Sequence, residues 1–177
     1  VALVFLGGRG TVKVGGRELG AVGARREVFS GLPYTVFVPP GPEYGITATE
    51  HLEVAVCEPP SSRPREAVVI PPAEVASTTM SIGKDNFTRR AIIMVGERFP
   101  AQHLFIGEAW VPSGNWASYP PHRHDLENPP DEIDMEEIYF FRFDRPGGFG
   151  LQRIYTDDLR VDAAYTIRDR DTIAIPE

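Results

Sequence analysis

Apolar residues in this chain come in short runs that mostly alternate with polar ones, and the three-to-four spacing of a helix is almost absent. Residues two apart on an extended strand share a face, so such alternation predicts strands with one face on a core. Strands are predicted at 1–6, 11–14, 34–38, 44–49 and 52–57, then at 67–70, 91–95, 104–111, 137–143, 151–155, 164–168 and 172–175. Gly7-Gly8-Arg9-Gly10 and Gly15-Gly16 fall between the first runs, where tight turns need positive φ. Helices are expected only as short pieces near 72–76 and 85–90. Many short strands at turn-rich spacing predict an all-β sandwich or barrel with few short helices.

Two features divide that pattern. Pro59-Pro60-Ser61-Ser62-Arg63-Pro64 has the composition of a linker, since its three prolines cannot donate to a sheet ladder. It predicts one unit over 1–60 and another over 61–177. A weak internal repeat points the same way. Thr35-Val36-Phe37-Val38-Pro39 resembles Thr172-Ile173-Ala174-Ile175-Pro176, and the same displacement sets Val1 opposite Ile138 in another strand. The sequence begins inside one apolar run and stops just after another, so the natural chain is expected to continue at both ends.

Composition narrows the function. An apolar content of 42% with 10% aromatics supports a packed core and excludes a disordered chain. Eighteen Lys+Arg against 25 Asp+Glu give a net charge of −7, and the cations are scattered, which argues against a nucleic-acid partner. No apolar run approaches the roughly 20 residues of a membrane span. The single cysteine, Cys57, has no internal disulfide partner, which favours a reducing, cytoplasmic location. Gly-x-Ser-x-Gly, phosphate-loop and dinucleotide patterns are missing, so serine-hydrolase and nucleotide-dependent readings fall away.

The stretch richest in chemistry is Gly114-Asn115-Trp116-Ala117-Ser118-Tyr119-Pro120-Pro121-His122-Arg123-His124-Asp125. In an extended strand His122 and His124 project to one face and Arg123 to the other. An acidic, proline-containing loop then leads to Glu136-Glu137-Ile138-Tyr139-Phe140, where either glutamate could add a carboxylate. Imidazole and carboxylate together suit one divalent ion, Zn²⁺ or Mn²⁺ first and Fe²⁺ as a further option, whereas calcium would want mostly oxygens. The bland alternative is a surface His-x-His in a proline-rich loop.

His-x-His, a glutamate entering an aromatic strand and a proline-terminated strand resemble the metal-binding core of the cupin superfamily. Within it, the stretch just quoted, Glu136-Glu137-Ile138-Tyr139-Phe140-Phe141 and Gly148-Phe149-Gly150-Leu151-Gln152-Arg153-Ile154-Tyr155-Thr156-Asp157 closely resemble the 5-deoxy-glucuronate isomerase family of inositol catabolism. The likeness is close over 89–177 and loose before it. It implies two cupin-type jelly-roll barrels in tandem, with the loop 126–135 as an insertion. It also implies His122, His124 and Glu137 as ligands, with Glu136 on the opposite strand face. A fourth ligand, a histidine, is expected just after Glu177. In the first copy the matching turn is Pro39-Pro40-Gly41-Pro42-Glu43-Tyr44, with tyrosine where that histidine would stand. The amino-terminal barrel is therefore expected to be a structural or interface unit, and a homo-oligomer is possible.

The activity so implied is an aldose–ketose isomerisation of the sugar acid 5-deoxy-glucuronate to 5-dehydro-2-deoxy-gluconate through a cis-enediol, with a metal polarising the carbonyl. Tyr139 and Glu136 are the weak candidates for moving the proton. Arg153 and Tyr155 share a strand face on which an arginine can grip a substrate carboxylate, although a solvent-facing arginine is equally compatible with the pattern. Other readings are isomerisation of a different keto-uronate, a metal-dependent dioxygenase, and a non-catalytic sugar-binding cupin. His51 and His103 read as packing or surface residues. Lys84-Asp85-Asn86-Phe87-Thr88-Arg89-Arg90 reads as a solvated loop, and Asp157, Asp158, Asp169 and Asp171 as turn carboxylates.

Overall fold

The computed structural model describes residues 1–99 and 101–176. The chain divides into two compact units, Val1–Tyr119 and Pro120–Glu177. The first holds β1 (Ala2–Gly7), β2 (Gly10–Val14), β3 (Arg17–Val22), β4 (Thr35–Phe37), β5 (Tyr44–Ala48), β6 (Glu53–Cys57), β7 (Val68–Ile70), the short helix α1 (Pro72–Ala76), β8 (Met80–Ile82), a 3₁₀ turn at Asp85–Phe87, β9 (Arg89–Val95) and β10 (Ile106–Trp110). The second holds β11 (Glu137–Phe140), β12 (Phe149–Tyr155), β13 (Asp162–Arg168) and β14 (Thr172–Ile175). The all-β class expected from the sequence is the one adopted, with short helical pieces where they were predicted. No described helix is long and apolar enough to cross a membrane.

In the first unit β1 sits inside the sheet ordered β6-β1-β4-β7, and all of its residues are buried. A strand covered on both faces needs a continuous apolar run, and Ala2-Leu3-Val4-Phe5-Leu6 is one. Its alternate side chains serve two cores. Ala2, Val4 and Leu6 join Ile70, Val75, Ile92, Met94 and Val95, while Leu3 and Phe5 join Val12, Val14, Val22, Val36 and Val38. A three-stranded sheet, β3-β2-β5, gives Val12, Val14 and Val22 to the second cluster, and another, β10-β9-β8, gives Ile92, Met94 and Val95 to the first.

This packing corrects the expected boundary near residue 60. Strand β7, beyond the proline-rich segment, completes the sheet of β1 by pairing with β4, and β9 shares a core with β1. Contacts thin out between Tyr119 and Pro120 instead. Arg25 also spans the two sides of that segment. Its guanidinium, 2% exposed, makes a two-pronged ion pair with Glu108 on β10, at 2.5 and 2.8 Å, and donates to the carbonyl of Phe5 at 3.0 Å.

Two strands escaped the sequence reading. Strand β3 is masked by Arg17, Glu18 and Gly20. The register between β2 and β3 slips between Val12 and Lys13, and Gly20 takes φ +95° beside the slip, a bulge that a side chain would strain. Strand β8 has three residues, too few for an alternation to register.

The weak repeat has a counterpart in topology. In the first unit β1 pairs antiparallel with β4 and β2 with β3. In the second, β11 pairs antiparallel with β14 and β12 with β13. Four consecutive strands thus follow one connectivity twice, and β4 and β14 are the very segments that resemble each other in sequence.

Candidate metal centre

The centre is built entirely within the second unit. Strand β11 opens at Glu137, and its burial alternates, with Glu137 and Tyr139 half-buried and Ile138 and Phe140 exposed. Glu136, one residue before the strand, is exposed. The pairing Glu137↔Ile175 to Phe140↔Thr172 with β14 fixes which way the carboxylate points.

His122 and His124 lie in a segment without a sheet partner, which corrects the expected strand. Pro120 and Pro121 lack amide hydrogens just before it, so a ladder cannot propagate through this point. Other bonds hold it. The Met135 amide donates to the carbonyl of His124 at 2.8 Å, folding the intervening loop back on itself, and Asn128 and Glu132 form an isolated bridge inside it. Arg123, pointing away from the imidazoles, pairs with Asp125 at 3.2 Å and with Asp157 at 2.9 Å. Sequence reasoning assigned Arg123 no role and took Asp157 for a turn carboxylate.

Despite the missing ladder, the side chains converge. The two imidazole rings stand edge to face with centroids 5.1 Å apart, and Nε2 of His124 is 3.8 Å from Oε1 of Glu137. One ligand atom from each of His122, His124 and Glu137 can be chosen so that all lie within 4.8 Å of one another. Bonds of about 2.1 Å to a tetrahedral ion hold ligands about 3.4 Å apart, so small side-chain rotations close the set. Two nitrogens and one carboxylate oxygen are a donor set for a borderline divalent ion, and the residues fit such a group. His124 and Glu137 are 30% and 29% exposed at the side chain and His122 more so, which leaves the centre open to solutes.

Tyr139 donates its hydroxyl to Oε1 of Glu137 at 2.9 Å, and its ring stacks on Phe141 with centroids 6.0 Å apart. The strand's pairing extends to that phenylalanine, whose amide donates to the Asp171 carbonyl at 2.9 Å and whose carbonyl accepts from the Arg170 amide at 2.8 Å.

Arg153 and Tyr155 share a face of β12, as the alternation predicts, but it is the exposed face. The Arg153 guanidinium lies 4.4 Å from the Tyr155 ring centroid and grips Asp162 of β13 with bonds of 2.8 and 3.1 Å. That hydrogen bond holds the Asp162 carboxyl below its usual range and raises Arg153 in turn. In the first unit Tyr44 packs against the core cluster of Phe5 and Val12, while His51 and His103 are exposed.

Known proteins place this geometry. The KduI/IolB family matches over residues 1–177. The 5-deoxy-glucuronate isomerase of Geobacillus kaustophilus is 36% identical over 176 residues, covering 99% of this chain and 63% of that protein. The 5-deoxy-glucuronate isomerase of Bacillus subtilis strain 168 is 30% identical over 178 residues, covering 99% of this chain and 65% of its own length. The crystal structure of an IolB-like protein from Salmonella typhimurium superposes with a TM-score of 0.93 at 32% identity, covering 99% of this chain and 66% of that one. The present sequence thus spans somewhat less than two thirds of the curated relatives' length. With family, fold and side-chain cluster in agreement, the chain belongs to the KduI/IolB family.

Proposed function

We propose that this chain carries the metal centre of an aldose–ketose isomerase that converts 5-deoxy-glucuronate to 5-dehydro-2-deoxy-gluconate in inositol catabolism. The observation that carries the reading is the convergence of His122, His124 and Glu137 in a chain whose curated relatives bear that isomerase name. We further take the ion to be Zn²⁺ or Mn²⁺ and the location to be cytoplasmic, in keeping with the free thiol of Cys57.

The ion, held by His122, His124 and Glu137, would supply Lewis-acid polarisation of the substrate carbonyl, which makes the neighbouring C–H acidic. The chain's own residues set the rest. The exposure of the histidines admits a hydrophilic sugar acid without a buried channel. The proton leaves one carbon and returns to the next through a cis-enediol, so the group that moves it must reach both carbons. Glu136 is exposed just before the strand, which makes it a poor candidate for that task. Arg153, lying over the Tyr155 ring, would meet the substrate carboxylate only by giving up Asp162 for it, a like-for-like replacement that a guanidinium fork can make.

Elemental analysis of the purified protein, followed by NMR of 5-deoxy-glucuronate turnover in deuterated water, tests the reading. Conversion with deuterium incorporated, unaffected by removal of oxygen, is expected. No conversion by fully metal-loaded protein would sink the named activity, and oxygen consumption would favour a dioxygenase instead.

A further inference from the structure

Tyr139 lies close enough to the centre to be taken for its proton carrier, yet its hydroxyl is given to the Glu137 carboxylate. We infer that Tyr139 is a positioning residue, fixing the Glu137 carboxylate for the metal rather than exchanging a proton with substrate. The inference rests on the metal-centre reading given above.

Strand geometry places Glu137, Tyr139 and Phe141 two residues apart on one face. Glu137 is the first residue of β11, where the ladder holds the backbone but leaves the side chain's own torsions free. A glutamate in that setting loses rotamer freedom when it binds an ion, an entropic cost. The Tyr139 hydroxyl, 2.9 Å from Oε1, meets part of that cost in advance, because it selects the rotamer in which Oε1 stands 3.8 Å from Nε2 of His124. The ring cannot easily follow the carboxylate elsewhere. It stacks on Phe141 at an interplanar angle of 23°, and Phe141 is tied by backbone bonds to Arg170 and Asp171. The chain of support thus runs from the backbone at 170–171 through two aromatic rings to one carboxylate oxygen.

A phenol that donates to a ligating carboxylate is an outer partner of the metal, and losing such a partner typically weakens metal binding about 10–100-fold. A proton carrier has a different signature. Its removal lowers kcat by about 10²–10⁴ even when the metal is saturating.

The test uses Co²⁺, read by its visible absorption, titrated into the metal-free full chain. Tyr139→Phe keeps the ring and its stack, and near-ultraviolet circular dichroism checks that the aromatic environment is preserved. Tyr139→Phe should bind Co²⁺ about 10–100-fold more weakly than wild type, and Glu137→Gln more weakly still. The double variant should match Glu137→Gln alone, because the tyrosine acts through that carboxylate. Phe141→Leu, which leaves the hydroxyl in place but removes the stack, should show a smaller loss in the same direction. At saturating metal, Tyr139→Phe should retain kcat within about threefold, well short of what losing a proton carrier costs.

Wild-type affinity in Tyr139→Phe, losses that multiply in the double variant, or a kcat that collapses at saturating metal would each overturn the assignment. His122→Ala and His124→Ala separate the two layers. If they leave Co²⁺ binding untouched, the metal reading falls and the inference falls with it. If they abolish binding while Tyr139→Phe binds as wild type, only the inference falls.

Discussion

Strands β1 to β4 and β11 to β14 share a connectivity, yet they put it to opposite uses. In the first set β1 and β4 are buried throughout and β2 shows only Thr11 and Lys13 to solvent, while β3 at the sheet edge buries Val22 alone. In the second set β11, β12 and β14 alternate between half-buried and exposed, and among the described residues Ile167 is its one buried hydrophobic. The candidate ligand cluster of His122, His124 and Glu137 lies beside the poorly buried copy. A metal centre needs imidazoles and carboxylates that a solute can reach, and desolvated charges without partners are costly, so the strand face that presents Glu137 cannot also be closed into a tight core. One copy of the topology keeps the packing and the other presents a carboxylate of the candidate cluster.

That contrast can be broken by equal substitutions in the two copies. Phe5→Ala, at a fully buried position, should cost about 3–5 kcal/mol in urea unfolding. Phe149→Ala, at a position 65% exposed on β12, should change stability by about 0.5 kcal/mol or less. Comparable losses at both sites would show that the second copy is packed after all. Next in size is Arg25→Met, which strands Glu108 beside a core and should cost about 3 kcal/mol. Adding Glu108→Leu should recover much of it, and a double variant as unstable as the single would mean that the hydrogen bonds to backbone carbonyls, not the ion pair, matter most.

A ligand acts on the other copy. Zn²⁺ at a hundredfold excess over its dissociation constant should add about 2.7 kcal/mol to the state that binds it. Amide exchange should slow in 120–177 and stay unchanged in β1 and β4, with His122→Ala abolishing the effect. Equal slowing in both units would mean that the two act as one cooperative body. The smallest effect concerns Arg153 and Asp162. The Asp162 carboxyl is held below its usual range first by the Arg153 hydrogen bond, so what it contributes is present above the unfolded carboxylate pKa of about 3.9 and is lost as pH falls through the lower folded value. Amide shifts of Ala164 and Tyr155 should follow that titration, and Arg153→Gln should move it back up toward the ordinary range. An unmoved midpoint would refute the pairing.

Much of this was legible in the chain because its signals are local. Alternation located twelve of the strands, since period-two patterning is a property of a few neighbouring residues. The residue types and spacing of His122, His124 and Glu137 were legible for the same reason. What escaped depended on distant partners. The bulge at Gly20 needs β2 to be seen as a bulge. The segment around His122 was read as extended because its histidines stand two apart, while the ladder that would make it a strand is absent. Sharing of a core across residue 60 follows from Ile92 and Val4 joining one cluster, which no linker composition reveals. The hydroxyl of Tyr139 was visible as chemistry near a ligand, but its acceptor was not.

The hydrogen bond from the Met135 amide to the His124 carbonyl has a consequence for how the family can vary. Binding one ion through His124 and Glu137 closes a ring through residues 125–136, and ring closure normally carries an entropic cost that grows with the number of links. Here the backbone has already brought the ends of that ring together at 2.8 Å, so the excursion beyond is a side loop outside the cycle the ion completes. Its length is then nearly decoupled from metal affinity. Even without the bond, doubling it would cost only about 0.6 kcal/mol. Insertions between the second histidine and the glutamate can therefore accumulate without disturbing the ligands on either side.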